Sequence, residues 1–176
     1  MQNDCGMEYL PINEMWKMYP PRYDINSHEI VMDNDFIIFD KCQVLEDFFK
    51  GNHTLLLRGK ARSYGKYDHL VPQPFAINSG FFGMPPNFDF LKKIKYACKN
   101  DIERKWTSWC DDQGIITHCL MQEEFKVIEN DIFKNYFAED DYDLSYNIKG
   151  LHLIGLNRGK RKNWKSILSK YLIKYV

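Results

Sequence analysis

The sequence predicts an α/β fold in which a mixed sheet is flanked by helices. Short apolar segments of strand length alternate with amphipathic segments of helix length. The strand segments are continuously apolar, which is typical of strands that are buried on both faces. The 176 residues fit one domain, and 44% hydrophobic residues suffice for a sizeable core. We therefore predict a single domain over residues 1–176.

The first half of the chain supplies two predicted helices and four predicted strands. Residues 10–19 carry apolar side chains on one helical face, and Pro20 ends that segment. Residues 41–49 form a second helical segment, which Gly51 ends. Apolar runs predict strands at 28–32, 36–39, 54–58 and 75–83. The polar segment 59–74 is rich in Gly, Lys, Arg and Tyr, and we expect an exposed loop there.

The second half continues the alternation of helices and strands. Its predicted elements are helical segments at 90–109 and 111–121 and strands at 125–128 and 151–154. Asp111 or Asp112 is placed to cap the second of these helices. The acidic and aromatic composition of 131–147 indicates a loop with one helical turn. A basic helix over 164–175 ends the sequence.

Charge and cysteine content exclude several classes of protein. Lys plus Arg and Asp plus Glu both number 24, which argues against nonspecific binding to nucleic acid. The basic segment 157–174 is then interpreted as a solvated helix face. The five cysteines include no C-x-x-C pair, which is typical of reduced thiols. With no apolar run of the ~18 residues that span a membrane and no signal peptide, we expect a cytoplasmic protein without a transmembrane segment.

Two carboxylates, Asp33 and Asp35, stand between two adjacent apolar segments. On an extended backbone, residues two apart face the same side, so both acids can point into one cleft. Like charges this close repel each other unless a cation lies between them, and a divalent metal satisfies that arrangement. The pattern therefore predicts that Mn²⁺ or Mg²⁺ binds here. The alternative is a hairpin turn at Asp33 and Asn34 with solvated acids.

Two further segments place small polar groups among apolar residues. Asn78, Ser79 and Gly80 interrupt a strand, where a glycine suggests close approach of backbone or ligand. The first two side chains could orient a hexose hydroxyl, whereas the alternative is a β-bulge without a ligand. Asp112 and Gln113 open a helix, where capping alone would explain the acid.

His152 lies in an apolar strand that ends at Gly155. Such a histidine is usually a core residue with satisfied hydrogen bonds, but neutral imidazole also suits a third metal ligand. Lys160 would then neutralise a leaving diphosphate. We expect the segment around Trp164 to fold back over the site.

In this order, the four segments resemble the second half of GT-A glycosyltransferases, particularly the glycogenin and bacterial galactosyltransferase-like family. That family has an apolar strand with D-x-D, an N-[ST]-G strand, a D-Q helix start and an H-x-x-G strand with a following Lys and Trp. The resemblance covers about residues 26–164. It implies metal-dependent transfer of a hexose from a nucleotide-diphosphate sugar to a glycan or other hydroxyl acceptor, in glycan or surface polysaccharide synthesis.

The resemblance also implies a role for each matching residue. Metal binding falls to Asp33, Asp35 and His152, donor binding to Asn78, Ser79, Gly80, Lys160 and Trp164, and a place near the reacting carbon to Asp112 or Gln113. The spacing from histidine to lysine is longer here than in the family, so Arg158 or Lys162 could replace Lys160.

Members of that family place a nucleotide-binding βαβ region before the D-x-D, whereas 32 residues precede Asp33 here. We therefore expect a fold that lacks most of the N-terminal nucleotide-binding half. Strand 28–32 would then expose one hydrogen-bonding edge, to be covered by residues 7–19, by a second copy or by a partner chain. Two alternatives to an active transferase stay open. One is an incomplete transferase-like module that needs a partner chain, and the other is a different class: a metal-dependent phosphate-handling enzyme or a nucleic-acid-binding protein.

Overall fold

The computed structural model of the protein describes residues 17, 22–99, 108, 110–137 and 147–154. Within this part of the chain, strands and helices are mixed, which confirms the predicted α/β class. The elements are, in order, β1 (Glu29–Met32), β2 (Phe36–Ile38), α1 (Gln43–Lys50), β3 (Thr54–Arg58), a 3₁₀ helix (Gly65–Leu70), β4 (Ile77–Met84), α2 (Phe90–Lys99), α3 (Asp111–Leu120), β5 (Phe125–Ile128), β6 (Phe133–Phe137) and β7 (Gly150–Ile154).

The strands form two mixed sheets. The first has the order β1-β4-β3-β5, in which only the β3–β5 pair is parallel. The second has the order β2-β7-β6, in which β6 and β7 are parallel. Because β1 and β2 belong to different sheets, the segment between them is not a hairpin turn, and that alternative for the acidic pair is wrong.

The first sheet is buried on both faces. Leu56 and Phe82 face one hydrophobic cluster, which α2, α3 and the 3₁₀ helix cover. Leu55, Leu57 and Phe81 face a second cluster, to which α1, β2 and β6 contribute. This two-sided burial explains why the strand sequences are continuously apolar.

The prediction of an exposed loop over 59–74 is wrong for the centre of that segment. A 3₁₀ helix forms over Gly65–Leu70, and the adjoining Tyr64 is only 1% exposed. The Tyr64 hydroxyl donates to the carbonyl of Phe75 at 3.2 Å and accepts from the amide of Ile77 at 2.6 Å. A large aromatic ring with a satisfied hydroxyl therefore buries a segment of polar composition.

The loop predicted over 131–147 is wrong for its first part, which forms β6. Residues two apart in a strand share a face, and Phe133 and Asn135 are both buried against the rest of the fold. Acidic and aromatic composition concealed this alternation. Residues 138–146 lie outside the described part of the chain.

Cys110 occupies the N-cap position of α3, in place of the predicted Asp111 or Asp112. The Asp111 carboxylate instead accepts hydrogen bonds from the backbone amides of Lys66 at 2.9 Å and Ser108 at 3.0 Å. This buried carboxylate thus anchors the segments that precede the helix.

Several predicted elements fall wholly or partly outside the described residues. They are the helix at 10–19 apart from Lys17, the end of the helix at 90–109, and the helix at 164–175. Among the residues described, no helix has the length and apolar character to cross a membrane. In the same residues no disulfide joins the cysteines, which are Cys42, Cys98, Cys110 and Cys119.

Candidate metal centre

A tight turn that carries two acidic residues connects the two sheets. The amide of Phe36 donates to the carbonyl of Asp33 at 3.1 Å, which closes the turn. The amide of Asp33 donates to the carbonyl of Gly80 in β4 at 2.8 Å, and the carbonyl of Asp35 accepts from the amide of Leu153 in β7 at 2.9 Å. Main-chain hydrogen bonds to both sheets therefore fix the two acids.

The turn brings both carboxylates against His152, as the sequence predicted. The Nε2 atom of His152 lies 3.2 Å from Oδ1 of Asp35 and 3.6 Å from Oδ2 of Asp33. One ligand atom from each residue can be chosen so that all three lie within 4.8 Å of one another. Strand register accounts for the approach, because Phe36, next to Asp35, pairs directly with His152. The Phe36 ring also lies 5.5 Å from the imidazole, centre to centre.

The imidazole of His152 is 4% exposed and its two nitrogens face opposite partners. Its Nδ1 atom lies 3.1 Å from Oδ1 of Asn135, the residue that pairs with it across β6 and β7. Nε2 is therefore the nitrogen that faces the acids. A histidine that binds a metal through one ring nitrogen typically makes a hydrogen bond through the other, and His152 has this orientation.

Opposite charges shift the pKa values within the cluster. Burial alone would lower the pKa of His152, but its interactions with Asp33 and Asp35 outweigh burial and raise that pKa above its ordinary value. Burial alone would raise the pKa of Asp33, but His152 and the ammonium of Lys17 outweigh it and lower that pKa. The cluster therefore favours negative carboxylates beside a positive charge.

Lys17 is a member of the site that the sequence did not indicate. Its Nζ atom lies 2.8 Å from each carboxylate oxygen of Asp33, and the two side chains are 16% and 19% exposed. A single lysine far from any recognisable motif gives no sequence signal for such a contact. The ammonium offsets part of the negative charge of the acidic pair.

The three residues fit a divalent metal by an observation independent of their residue types. Oδ1 of Asp35 is buried and receives no hydrogen bond from any residue that the structure describes, since Nε2 of His152 approaches it without hydrogen-bond geometry. A buried anionic oxygen without a well-aligned donor is costly unless a cation accompanies it; the His152 imidazolium is that cation without metal, and a divalent ion would take its place. Neighbouring ligands of a metal bound at 2.0–2.2 Å lie about 3 Å apart, close to the 3.2 and 3.6 Å that separate Nε2 of His152 from the two carboxylates.

β4 contains a bulge that begins after Asn78. Leu57 of β3 pairs with Asn78 and Leu56 pairs with Phe82, so residues 79–81 have no partner in β3. The side-chain oxygen of Asn78 accepts from the amide of Gly80 at 2.8 Å and stabilises the bulge. The β-bulge named as an alternative is thus present, and the donor-binding role of Asn78 and Ser79 stays a prediction.

Gly80 lies directly against the imidazole of His152. A Cβ atom at this position would overlap Cε1 of His152 and would lie 2.8 Å from its Nε2 atom. The sequence suggested close approach of backbone or ligand at this glycine, and the neighbour observed is the side chain of His152, which brings the bulge to the metal site. The side chain beside Gly80 therefore belongs to one of the proposed metal ligands.

Gln113 connects α3 to this bulge. Its side-chain oxygen accepts from the amide of Ser79 at 3.2 Å, and its side-chain nitrogen donates to the carbonyl of Ser63 at 2.8 Å. Both amide atoms thus hold main chain around the site. Asp112 is buried in the first turn of the same helix, and its place near a reacting carbon stays a prediction.

Two predicted donor-binding residues, Lys160 and Trp164, lie outside the described residues. The structure adds Asn135, which the sequence analysis assigned to a loop. Its signal was a lone amide on the same strand face as Phe133, where an apolar residue is the rule.

No protein-family model matches the chain, and no curated protein matches it. The roles implied by the resemblance to glycosyltransferases therefore stay predictions.

Proposed function

We propose that this chain is a metal-dependent glycosyltransferase that moves a hexose from a nucleotide-diphosphate sugar to a hydroxyl acceptor. One observation supports this above the others. Segments predicted separately from the sequence, at Asp33 with Asp35, at Asn78 to Gly80 and at His152, meet at one place in the fold. Gln113 holds the middle segment from the next helix.

The chain's own residues would prepare this site in two ways. Asp33, Asp35 and His152 would hold the metal, and the imidazole favours a transition metal such as Mn²⁺ over Mg²⁺, which prefers oxygen ligands. Asn78 and the main chain of the bulge would orient the sugar beside it. When bound, the metal supplies a Lewis acid for the charge that develops on the leaving diphosphate.

The proposed transfer conserves atoms and charge. The acceptor oxygen forms a bond to the anomeric carbon of the hexose, and the bond from that carbon to the diphosphate oxygen breaks. The electron pair of that bond leaves with the nucleoside diphosphate, while the acceptor hydroxyl releases its proton to a base. Asp112, buried beside Gln113, is the carboxylate we propose near the reacting carbon.

Product analysis tests the proposal. The protein is incubated with Mn²⁺ and a panel of uridine and guanosine diphosphate sugars, and phosphorus NMR identifies the products. A nucleoside diphosphate with a free or transferred hexose would support glycosyl transfer. A nucleoside monophosphate with a sugar 1-phosphate would instead indicate the rival class, a metal-dependent phosphate-handling enzyme.

Two variants make the assay specific to the site. Asp35→Ala removes a proposed metal ligand, whereas Asp40→Ala removes a carboxylate that pairs with Lys149 outside the cluster. We expect loss of activity in the first variant and wild-type activity in the second. Metal and donor binding without turnover by the wild type would point to a non-catalytic module that needs a partner chain.

A further inference from the structure

Asn135 lies behind the metal centre in a fixed orientation. Its side-chain nitrogen donates to the carbonyl of Arg58 at 2.5 Å and to the side-chain oxygen of Asn130 at 3.2 Å. A main-chain carbonyl can only accept, so the amide atom that faces Arg58 must be nitrogen. The Asn135 oxygen therefore faces Nδ1 of His152.

This orientation determines which imidazole nitrogen carries hydrogen. Because the Asn135 oxygen can only accept, Nδ1 of His152 must be the donor. Reversing the amide would bring its oxygen against the carbonyl of Arg58, two acceptors in a buried place. Nε2 is left as the nitrogen that faces Asp33 and Asp35, and a bound metal would take the place of a proton there.

The fold holds this arrangement from two sides. Asn135 is 4% exposed and pairs with His152 across β6 and β7 of the second sheet. Arg58, which anchors its amide, ends β3 of the first sheet. The hydrogen bond to Arg58 therefore links the orientation of the imidazole to the way the two sheets meet.

We infer that Asn135 is a positioning residue, which fixes His152 in the tautomer that presents Nε2 to a divalent metal. The inference rests on the metal site of the proposed function and does not depend on the identity of the donor or acceptor. Partners of this kind behind a ligating histidine typically change metal affinity by about 10–100-fold when they are removed.

Titration of the full chain with Mn²⁺ by calorimetry tests this inference. Asn135→Leu keeps the branched shape of the side chain but removes the acceptor for Nδ1 and the donor to Arg58, and we expect Mn²⁺ affinity to fall about 10–100-fold. Thr54→Val is the matched control, because Thr54 also makes a buried side-chain hydrogen bond to a main-chain carbonyl, that of Leu120 at 2.8 Å, without contact to His152. We expect this control to keep wild-type affinity.

Nitrogen NMR of the wild type supplies a second measurement that no folding defect can obscure. We expect the ¹⁵N shifts of His152 with Mg²⁺ or Zn²⁺ as diamagnetic probes to show hydrogen on Nδ1 and metal at Nε2. Metal at Nδ1, or equal Mn²⁺ affinity in folded Asn135→Leu and wild type, would overturn the role of Asn135 and leave the transferase proposal standing. Absence of metal binding in the wild type would overturn both.

Discussion

One residue separates Asp33 from Asp35 in the chain, yet their main chains are hydrogen-bonded to different sheets. Asp33 donates to β4 of the first sheet, and Asp35 accepts from β7 of the second. The two carboxylates can meet at His152 only while the sheets keep their relative position. A cation bound there therefore stabilises the native state as a whole, because it binds the folded chain in preference to the unfolded one.

Mn²⁺ is expected to raise the thermal stability of the wild type and to leave that of Asp35→Ala unchanged. At a free Mn²⁺ concentration of 100 times Kd, the stabilisation should be about 2.7 kcal/mol. Scanning calorimetry with and without Mn²⁺ checks this, with Asp40→Ala as a variant that should respond like the wild type. An equal Mn²⁺ response in Asp35→Ala and the wild type would contradict the site.

Gly80→Ala should lower the affinity for Mn²⁺, and this loss should exceed what a general loss of folding stability would cause. The added methyl group would overlap the imidazole of His152, which is buried against Phe36 and has no space to move. Calorimetric titration with Mn²⁺ measures the loss, which we expect to reach about tenfold, the lower end for disturbed ligand support.

Gly150→Ala is a matched control for this glycine. It lies in the same strand as His152, but its added methyl group would lie 3.0 Å from the carbonyl oxygen of Ile37 and 3.1 Å from the ring of Phe133. We expect lower stability with unchanged Mn²⁺ affinity. If both variants lost affinity equally, general loosening of the second sheet would replace the steric explanation.

Lys17→Met should bind Mn²⁺ more tightly than the wild type. The ammonium lies on both oxygens of Asp33 and repels a second cation there. An ion pair of this exposure is worth up to about 1 kcal/mol, which corresponds to about fivefold in affinity. The same change should weaken binding of a nucleoside diphosphate, because a positive charge beside the metal is lost.

Lys149→Met provides the comparison for Lys17. Lys149 pairs with Asp40 at 2.6 Å, and neither residue belongs to the metal cluster. Lys149→Met should therefore change neither the affinity for Mn²⁺ nor that for a nucleoside diphosphate. Weaker Mn²⁺ binding in Lys17→Met would show instead that the lysine holds Asp33 in its ligating position.

The sequence carried the local features of the site and missed the long-range ones. Two acids two residues apart predict a shared cleft. His152, in an apolar strand that ends at a glycine, was predicted as the third metal ligand in that cleft. By contrast, Asn135 reaches the site through the register of β6 with β7, and Lys17 through a side-chain contact with Asp33, 16 residues away in the chain. The crossing between two sheets was missed because apolar strands on either side of a turn look alike whether they join one sheet or two.

Glu129→Gln should lower stability at neutral pH and have no effect in acid. The hydrogen bond from Arg58 lowers the pKa of Glu129 despite the opposing effect of burial. A carboxylate with a lowered folded-state pKa contributes stability above its unfolded pKa of about 4.3 and loses that contribution as the pH falls through its folded value.

Because the Glu129 side chain is 52% exposed, the loss at pH 7 should stay below about 1 kcal/mol. Urea unfolding at pH 7 and pH 3 measures both values, and an equal loss at the two pH values would exclude the ion pair as its cause.

β1 lies at an edge of the first sheet and pairs only with β4 among the strands described. Met32 is 40% exposed at the end of this strand. A strand edge with unpaired backbone groups and an apolar side chain favours pairing with another chain, and a lysine on the edge opposes it. We therefore expect the wild type to self-associate and Met32→Lys to do so less, as sedimentation velocity over a concentration series would measure. Tyr96→Lys, which replaces a 67% exposed ring on α2 instead of a residue of the edge strand, should associate like the wild type. A wild type that stays monomeric throughout the series would show that the edge is already covered within one chain, and an equal decrease in both variants would indicate nonspecific contact between apolar surfaces.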